Sequence, residues 1–149
     1  MPVIEVREIA TAETYPVRHV VLRPGRPLES CYYPKDDDAG TFHLGVFVDG
    51  RLAGVATYLV DSHAGFSDAV QYRLRGMAVL PEYQGLGLGR ALIDAAYPRI
   101  AAAGATLLWF TAREEAVGFY VKQGFTGHGE YYDEPLLGPH LLMYKRLAG

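Results

Sequence analysis

Val79 to Arg90 reads VLPEYQGLGLGR, and no other stretch of the chain limits its fold so tightly. An apolar run ends at Pro81, three glycines alternate with leucines, and a helix-forming sequence follows. The segment is therefore a strand end, a turn and a helix start. Gly85, Gly87 and Gly89 permit backbone geometries that side chains forbid. Their N–H groups, with those of the helix beginning near Leu88, converge on one concavity. Main-chain donors and the positive end of a helix dipole suit that concavity to phosphate oxygens. Arg90 adds a formal charge beside it. A glycine turn that only packs against a neighbouring strand has the same local signature, so the surroundings must decide.

Two phosphate motifs do not match. The turn lacks the Gly-Lys-Ser or Gly-Lys-Thr ending of a nucleotide P-loop. A dinucleotide fingerprint follows the first strand of a βαβ unit and has an acid about twenty residues on, whereas AAAGATLLWFTA at 101–112 has none. The ligand expected here is another phosphate-bearing molecule.

A chain of 149 residues, half of them apolar, is long enough for one domain with a full core, and residues 1–149 are read as a single domain. The net charge of −3 and the lack of basic runs argue against nucleic acid as a partner. Cys31 stands alone, so no intrachain disulfide forms, and the five histidines show no metal-binding spacing. No apolar stretch is long enough to span a bilayer and no signal-peptide core opens the chain. A cytoplasmic protein without a membrane partner is the expectation.

The alternation in VIEVREI predicts a first strand over 3–9, and a helix follows over 14–22, with Thr11 or Thr14 as N-cap and Pro16 in its first turn. Residues 24–40 read as a long surface loop, with Asp36, Asp37 and Asp38 as a solvated turn. TFHLGVFVDGRLAGVATYLV gives a hairpin turning at Asp49-Gly50. A loose DSHAGFSD segment leads to a fourth strand over 70–80, whose alternation breaks near Gly76 to Ala78 and so predicts a bulge. A helix over 88–102 should kink or shorten at Pro98. ATLLWFTA is a central strand buried on both faces. A helix over 113–123 stops at Gly124, and two last strands lie at 125–131 and 139–147. The fold class is α/β in the mixed α+β sense: six to seven mostly antiparallel strands with helices on both faces.

RGMAVLPEYQGLGLGRALI, followed by LLWFTAREEAVGFYVKQGF, resembles the acyl-CoA-binding core of the GNAT family of N-acetyltransferases. Gln84, Gly87 and Gly89 take the places of that family's glycine signature. Ala116, Phe119, Tyr120, Gly124 and Phe125 follow the order of its second segment. The resemblance implies acetyl-CoA as cosubstrate, with its pyrophosphate on the main chain of Gln84, Gly85, Leu86, Gly87, Leu88, Gly89 and Arg90. It also implies that the fourth and fifth strands splay apart after the bulge, so that main-chain groups of Met77, Ala78 and Val79 meet the pantetheine arm like an added strand. Tyr120 corresponds to the family tyrosine beside the coenzyme sulfur, where a phenol O–H protonates or stabilises the departing thiolate.

The reaction so implied is transfer of acetyl to a primary amine, small or peptidic, by direct attack. A non-catalytic acyl-CoA sensor or interaction module is the alternative, because the fourth strand carries Gln71, Arg73 and Arg75 and lacks the acid the family often places there. Glu82 follows just outside the strand and reads as solvent-facing. His43, Arg75 and His140 are the candidates for the acceptor side. An aspartate run contributing to that side would favour cationic amines. The last strands offer an edge at which a homodimer could form.

Overall fold

The computed structural model describes residues 1–147. The first strand, β1 (Ile4–Ile9), leads through a 3-10 turn at Thr11–Thr14 into α1 (Tyr15–Val21), which begins with Pro16 in its first turn. Neither threonine caps α1 with its side chain, because Thr14 Oγ1 donates to the Thr11 carbonyl at 2.6 Å. Then β2 (Phe42–Val48) and β3 (Arg51–Val60) form a hairpin. Asp49 and Gly50 both have positive φ, 49° and 83°, as a two-residue turn of the I′ type requires.

Next come β4 (Gln71–Val79), α2 (Leu88–Ala102), β5 (Leu107–Arg113), α3 (Val117–Lys122), β6 (Thr126–Glu134) and β7 (Gly138–Arg146). The sheet has seven strands in the order β1-β2-β3-β4-β5-β7-β6. Every neighbouring pair is antiparallel except β4 and β5, which are parallel. That pair is short: Gln71, Tyr72 and Arg73 meet Leu107, Leu108 and Trp109, and the register ends there. The strands therefore part from Leu74 onward.

The expected bulge lies within the same stretch. Val55 faces Ala78 and Thr57 faces Arg75, so Gly76 and Met77 together oppose Ala56. Gly76 has φ +65°, a conformation that a side chain would strain.

One face of the sheet carries the main core, where Leu88, Leu92, Ile93, Ala96 and Ile100 of α2 bury against Leu44, Val46, Tyr58 and Leu74. Each large apolar side chain so buried contributes about 1.5–3 kcal/mol. The helix continues through Pro98 to Ala102. Pro98 and Asp94 are exposed, so water can meet the carbonyl that the proline leaves unpaired while the buried side holds the helix. The other face receives α1, whose Val17 packs on Val55 and Ala78.

Four further differences have identifiable causes. The third helix is shorter than expected, because β5 extends to Arg113 and a 3-10 turn at Glu114–Ala116 intervenes. Beyond it, β6 pairs as far as Glu134, narrowing the expected loop to three residues. The segment before β4 is tied down: Gln71 accepts from His63 N at 2.8 Å and donates to the carbonyls of Phe66 and Asp68. Within the long loop, Cys31, Tyr33 and Asp36 are buried. Asp36 is thus no part of a solvated turn, because Arg18 draws its carboxylate inside.

Candidate active site

The candidate donor side is built from the glycine turn. Gly85 and Gly87 adopt φ of +85° and +76°, so the chain turns from extended Gln84 directly into α2, with Gly87 at the N-cap. Leu88 is buried and anchors the helix start, whereas Leu86 and Arg90 are exposed. The first bond across the turn runs from Ala91 N to Gly87 O at 3.1 Å. The N–H groups of Gly85 to Arg90 find no acceptor among the described residues. Six donors at the positive end of a fifteen-residue helix, with no acid in the first turn, form an anion cradle. Arg90 reaches Asp94 only at 3.4 Å on an exposed face, which leaves its charge available.

This cradle stands beside the open edge of β4. Ala78 and Val79 pair with β3 on one side only, Met77 lies in the bulge beside them, and on the other side β5 has diverged. The start of α2, the strand and α3 converge at Gly89: a Cβ there would lie 3.0 Å from Phe119 Cζ and 3.7 Å from Met77 Cε. Tyr120, the next residue of α3, packs on Phe110 with the rings tilted at 47° and their centroids 4.3 Å apart. Burial pushes its phenol up to about 12, because a phenolate would be poorly solvated there. The group is therefore a protonated donor at neutral pH, and its hydroxyl has no hydrogen-bond partner among the described residues.

The acceptor-side candidates do not form one cluster. Arg75 projects from β4 between the last β4–β5 pair and the bulge, where its Nη2 donates to the Pro34 carbonyl. His43 is 4 % exposed and fully bonded: Nδ1 meets Thr57 Oγ1 at 2.7 Å, and Nε2 meets the Asp36 carbonyl and Thr11 Oγ1, each at 3.1 Å. Burial lowers its pKa, so it is neutral at pH 7. His43 thus sits behind the wall formed by Asp36. His140 begins β7 opposite Arg113, with Tyr132 across from it on β6 and its Nδ1 3.0 Å from the Gly138 carbonyl. Glu82 is exposed on a 3-10 turn.

What joins these parts lies outside every motif read from the sequence. Arg18 is fully buried in α1 and donates to both oxygens of Asp36 (2.6 and 3.1 Å), to Thr57 Oγ1 (2.7 Å) and to the Cys31 carbonyl (2.7 Å). Its guanidinium lies 4.1 Å from the ring centroid of Tyr33. Pairing between positions 18 and 36 leaves no local spacing to read; a charged residue within an apolar helix is the only hint.

Comparison with known proteins agrees with this fold. The sequence model described as the acetyltransferase (GNAT) family matches residues 4–125. The chain is 41% identical over 144 residues to YitI of Bacillus subtilis (strain 168), described as an uncharacterized N-acetyltransferase, and the match covers 97% of each chain. An acetyltransferase of the GNAT family from Streptococcus pneumoniae superposes with a TM-score of 0.73 at 20% identity, over 98% of this chain and 100% of that one. An aminoglycoside 6'-N-acetyltransferase complexed with coenzyme A gives a TM-score of 0.75 at 11% identity, over 95% and 96%.

Proposed function

This chain belongs to the acetyltransferase (GNAT) family, and from that premise we propose that a primary amine attacks acetyl-CoA directly in the cleft between β4 and β5. The observation that carries this reading is the parting of β4 from β5 after Arg73 and Trp109, beside six unpaired amides at the start of α2.

The amides of Gly85 to Arg90, with Arg90, hold the pyrophosphate. The open edge of β4 at Met77, Ala78 and Val79 takes the pantetheine arm as a strand would. The thioester then lies near the bulge, and the amine nitrogen bonds to its carbonyl carbon. As the tetrahedral centre collapses, the C–S bond breaks and its electron pair stays on sulfur. Tyr120 supplies a proton to that thiolate, the amine's proton passes to water, and the phenol is reprotonated from solvent. A phenol held near pKa 12 resists ionisation between turnovers. Direct attack also fits the place of Cys31, whose side chain is fully buried and out of reach of a substrate.

Arg75 and His140 line the acceptor side in this reading, and His43 supports it from behind through Asp36 and Thr57. The solvent-exposed β6 edge over Thr126–Asp133 is where two copies would pair. Among the described residues no helix is long and apolar enough to cross a membrane.

Calorimetry with acetyl-CoA, followed by thiol release across an amine panel, tests the assignment. Tyr120→Phe should lower kcat about 10²-fold, within the span of general acid catalysis, with the acetyl-CoA Kd unchanged. Equal turnover by that variant would remove Tyr120 from the chemistry. Tight acetyl-CoA binding with no turnover of any amine would favour the sensor reading.

A further inference from the structure

Tyr33 is a buried ring surrounded by guanidinium groups: Arg18 at 4.1 Å, Arg23 at 5.2 Å and Arg75 at 5.3 Å from its centroid. A single carboxylate, Asp36, answers them. It is held by Arg18 at 2.6 Å, Arg75 stands 3.8 Å away, and Arg23 has no carboxylate partner among the described residues. On the same face Arg73 and Lys35 share Asp61, at 3.3 and 3.4 Å. Five cations thus meet two carboxylates. On its other side Asp36 lines, with the adjacent Asp37 and Asp38, Glu8, Thr11 and His43, a cavity of about 380 Å³.

The imbalance is accompanied by unmet hydrogen-bonding capacity. The Nε–H groups of Arg18, Arg23 and Arg75 are all buried without an acceptor among the described residues. Buried charge of one sign with unpaired donors is unfavourable unless an anion completes it. Burial, then the neighbouring Arg73, lowers the pKa of Arg75, as crowding of like charge requires.

The position of Arg75 relates this excess charge to the reaction. It lies two residues past the last β4–β5 pair, Arg73 with Trp109, and immediately before the bulge at Gly76 and Met77. Residues along a strand rise about 3.3 Å each, so an anion seated on Arg75 lies within a few bonds of an amine attacking at the bulge. Both groups then belong to one compact molecule.

We propose that the acceptor is a small amine carrying its own oxyanion, a carboxylate or a phosphate, which Arg75 receives with Arg23 beside it across Tyr33. This inference rests on the acetyltransferase reading above. A guanidinium fork matches either oxyanion in two-point contact.

The experiment compares acceptors that differ by one anionic group: amino acids against their primary amides, and phosphoethanolamine and glucosamine 6-phosphate against ethanolamine and glucosamine. Thiol release from acetyl-CoA gives turnover, and calorimetry on the coenzyme A-loaded protein gives binding of the same compounds. At least one anionic amine should exceed its neutral counterpart tenfold or more in kcat/KM or affinity, and the preferred set distinguishes carboxylate from phosphate. Arg75→Gln should abolish that preference through the amine's KM, with the acetyl-CoA Kd unchanged, and Arg75→Lys should restore part of it. Arg23→Gln, which breaks no ion pair, should weaken the preference even if the Arg75 variants fold poorly. Neutral amines equalling the anionic ones, a preference that survives in Arg75→Gln and Arg23→Gln, or acetyl-CoA binding without turnover or binding of any panel member would each overturn the inference. Failure of the folded protein to bind acetyl-CoA would instead refute the acetyltransferase reading.

Discussion

Replacing Asp36 by leucine tests whether the wall of the proposed acceptor side is held by one buried ion pair. Both side chains of the Arg18–Asp36 pair are fully buried. The carboxylate accepts two bonds from Arg18, at 2.6 and 3.1 Å, and one from Tyr33 N at 2.8 Å. Asp36→Leu leaves the guanidinium enclosed with only two neutral acceptors, the Cys31 carbonyl and Thr57 Oγ1. Removing one partner from such a pair costs about 3–5 kcal/mol, a large share of the roughly 5–15 kcal/mol that holds a domain together. At about 2–4 °C per kcal/mol for a chain of this size, the melting temperature should fall by roughly 6–20 °C. Arg18→Met should also be costly, whereas the double variant Arg18→Met/Asp36→Leu should recover much of the loss, because it removes both desolvated charges. Urea unfolding of the four proteins measures the cycle. If Asp36→Leu falls within 1 kcal/mol of the parent, or the double variant shows the sum of the single losses, the pair does not act as argued.

Gly87→Ala should destabilise the fold by about 1–2 kcal/mol, since φ is +76° although the added methyl meets nothing within 4 Å; calorimetry should show weaker acetyl-CoA binding. Tyr120, raised by burial from 10.0 to about 12, should stay un-ionised when exposed tyrosines titrate in the ultraviolet. Its contribution to stability is fully present below pH 10 and declines as pH rises through 12. The burial-lowered His43 works in the opposite direction: its contribution is complete above its unfolded pKa, about 6.5, and is lost as pH falls through the folded value. Denaturant midpoints at pH 8, 6.5 and 5 should therefore drop on the acid side, and His43→Gln should flatten that fall.

The glycine turn and the helix start of the proposed donor half were legible because their geometry is local. Gly85 and Gly87 need their positive φ for reasons visible within the turn itself, and the start of α2 follows at once. The broken alternation at Gly76 likewise announced the bulge, and the almost wholly apolar run before Arg113 marked a strand covered on both faces. The proposed acceptor half depends on contacts that cross the fold. Asp36 resembled its solvated neighbours Asp37 and Asp38 because only α1, 18 positions away, supplies the guanidinium that buries it. His43 looked available on a strand, yet Thr57, Thr11 and the Asp36 carbonyl occupy both ring nitrogens. Charge pairing across elements has no periodicity, so composition and spacing could not sort these residues.

The two halves meet at Gly76. Its φ of +65° creates the bulge beside the open edge of β4, and its missing side chain makes room for the other face: a Cβ would lie 3.1 Å from Tyr33 Cε2 and 3.4 Å from Arg18 Nε. Neither neighbour can yield easily, since Tyr33 is 8 % exposed and Arg18 fully buried in its ion pair. Gly76→Ala should therefore strain the backbone and push the Tyr33 ring against Arg18, Arg23 and Arg75 together. Acetyl-CoA affinity and the amine KM should both worsen, whereas Gly87→Ala should alter only the former. If Gly76→Ala changes acetyl-CoA binding and leaves the amine KM at its parent value, the bulge and the arginine wall are independent, and the donor and acceptor sites do not share this glycine as their hinge of construction.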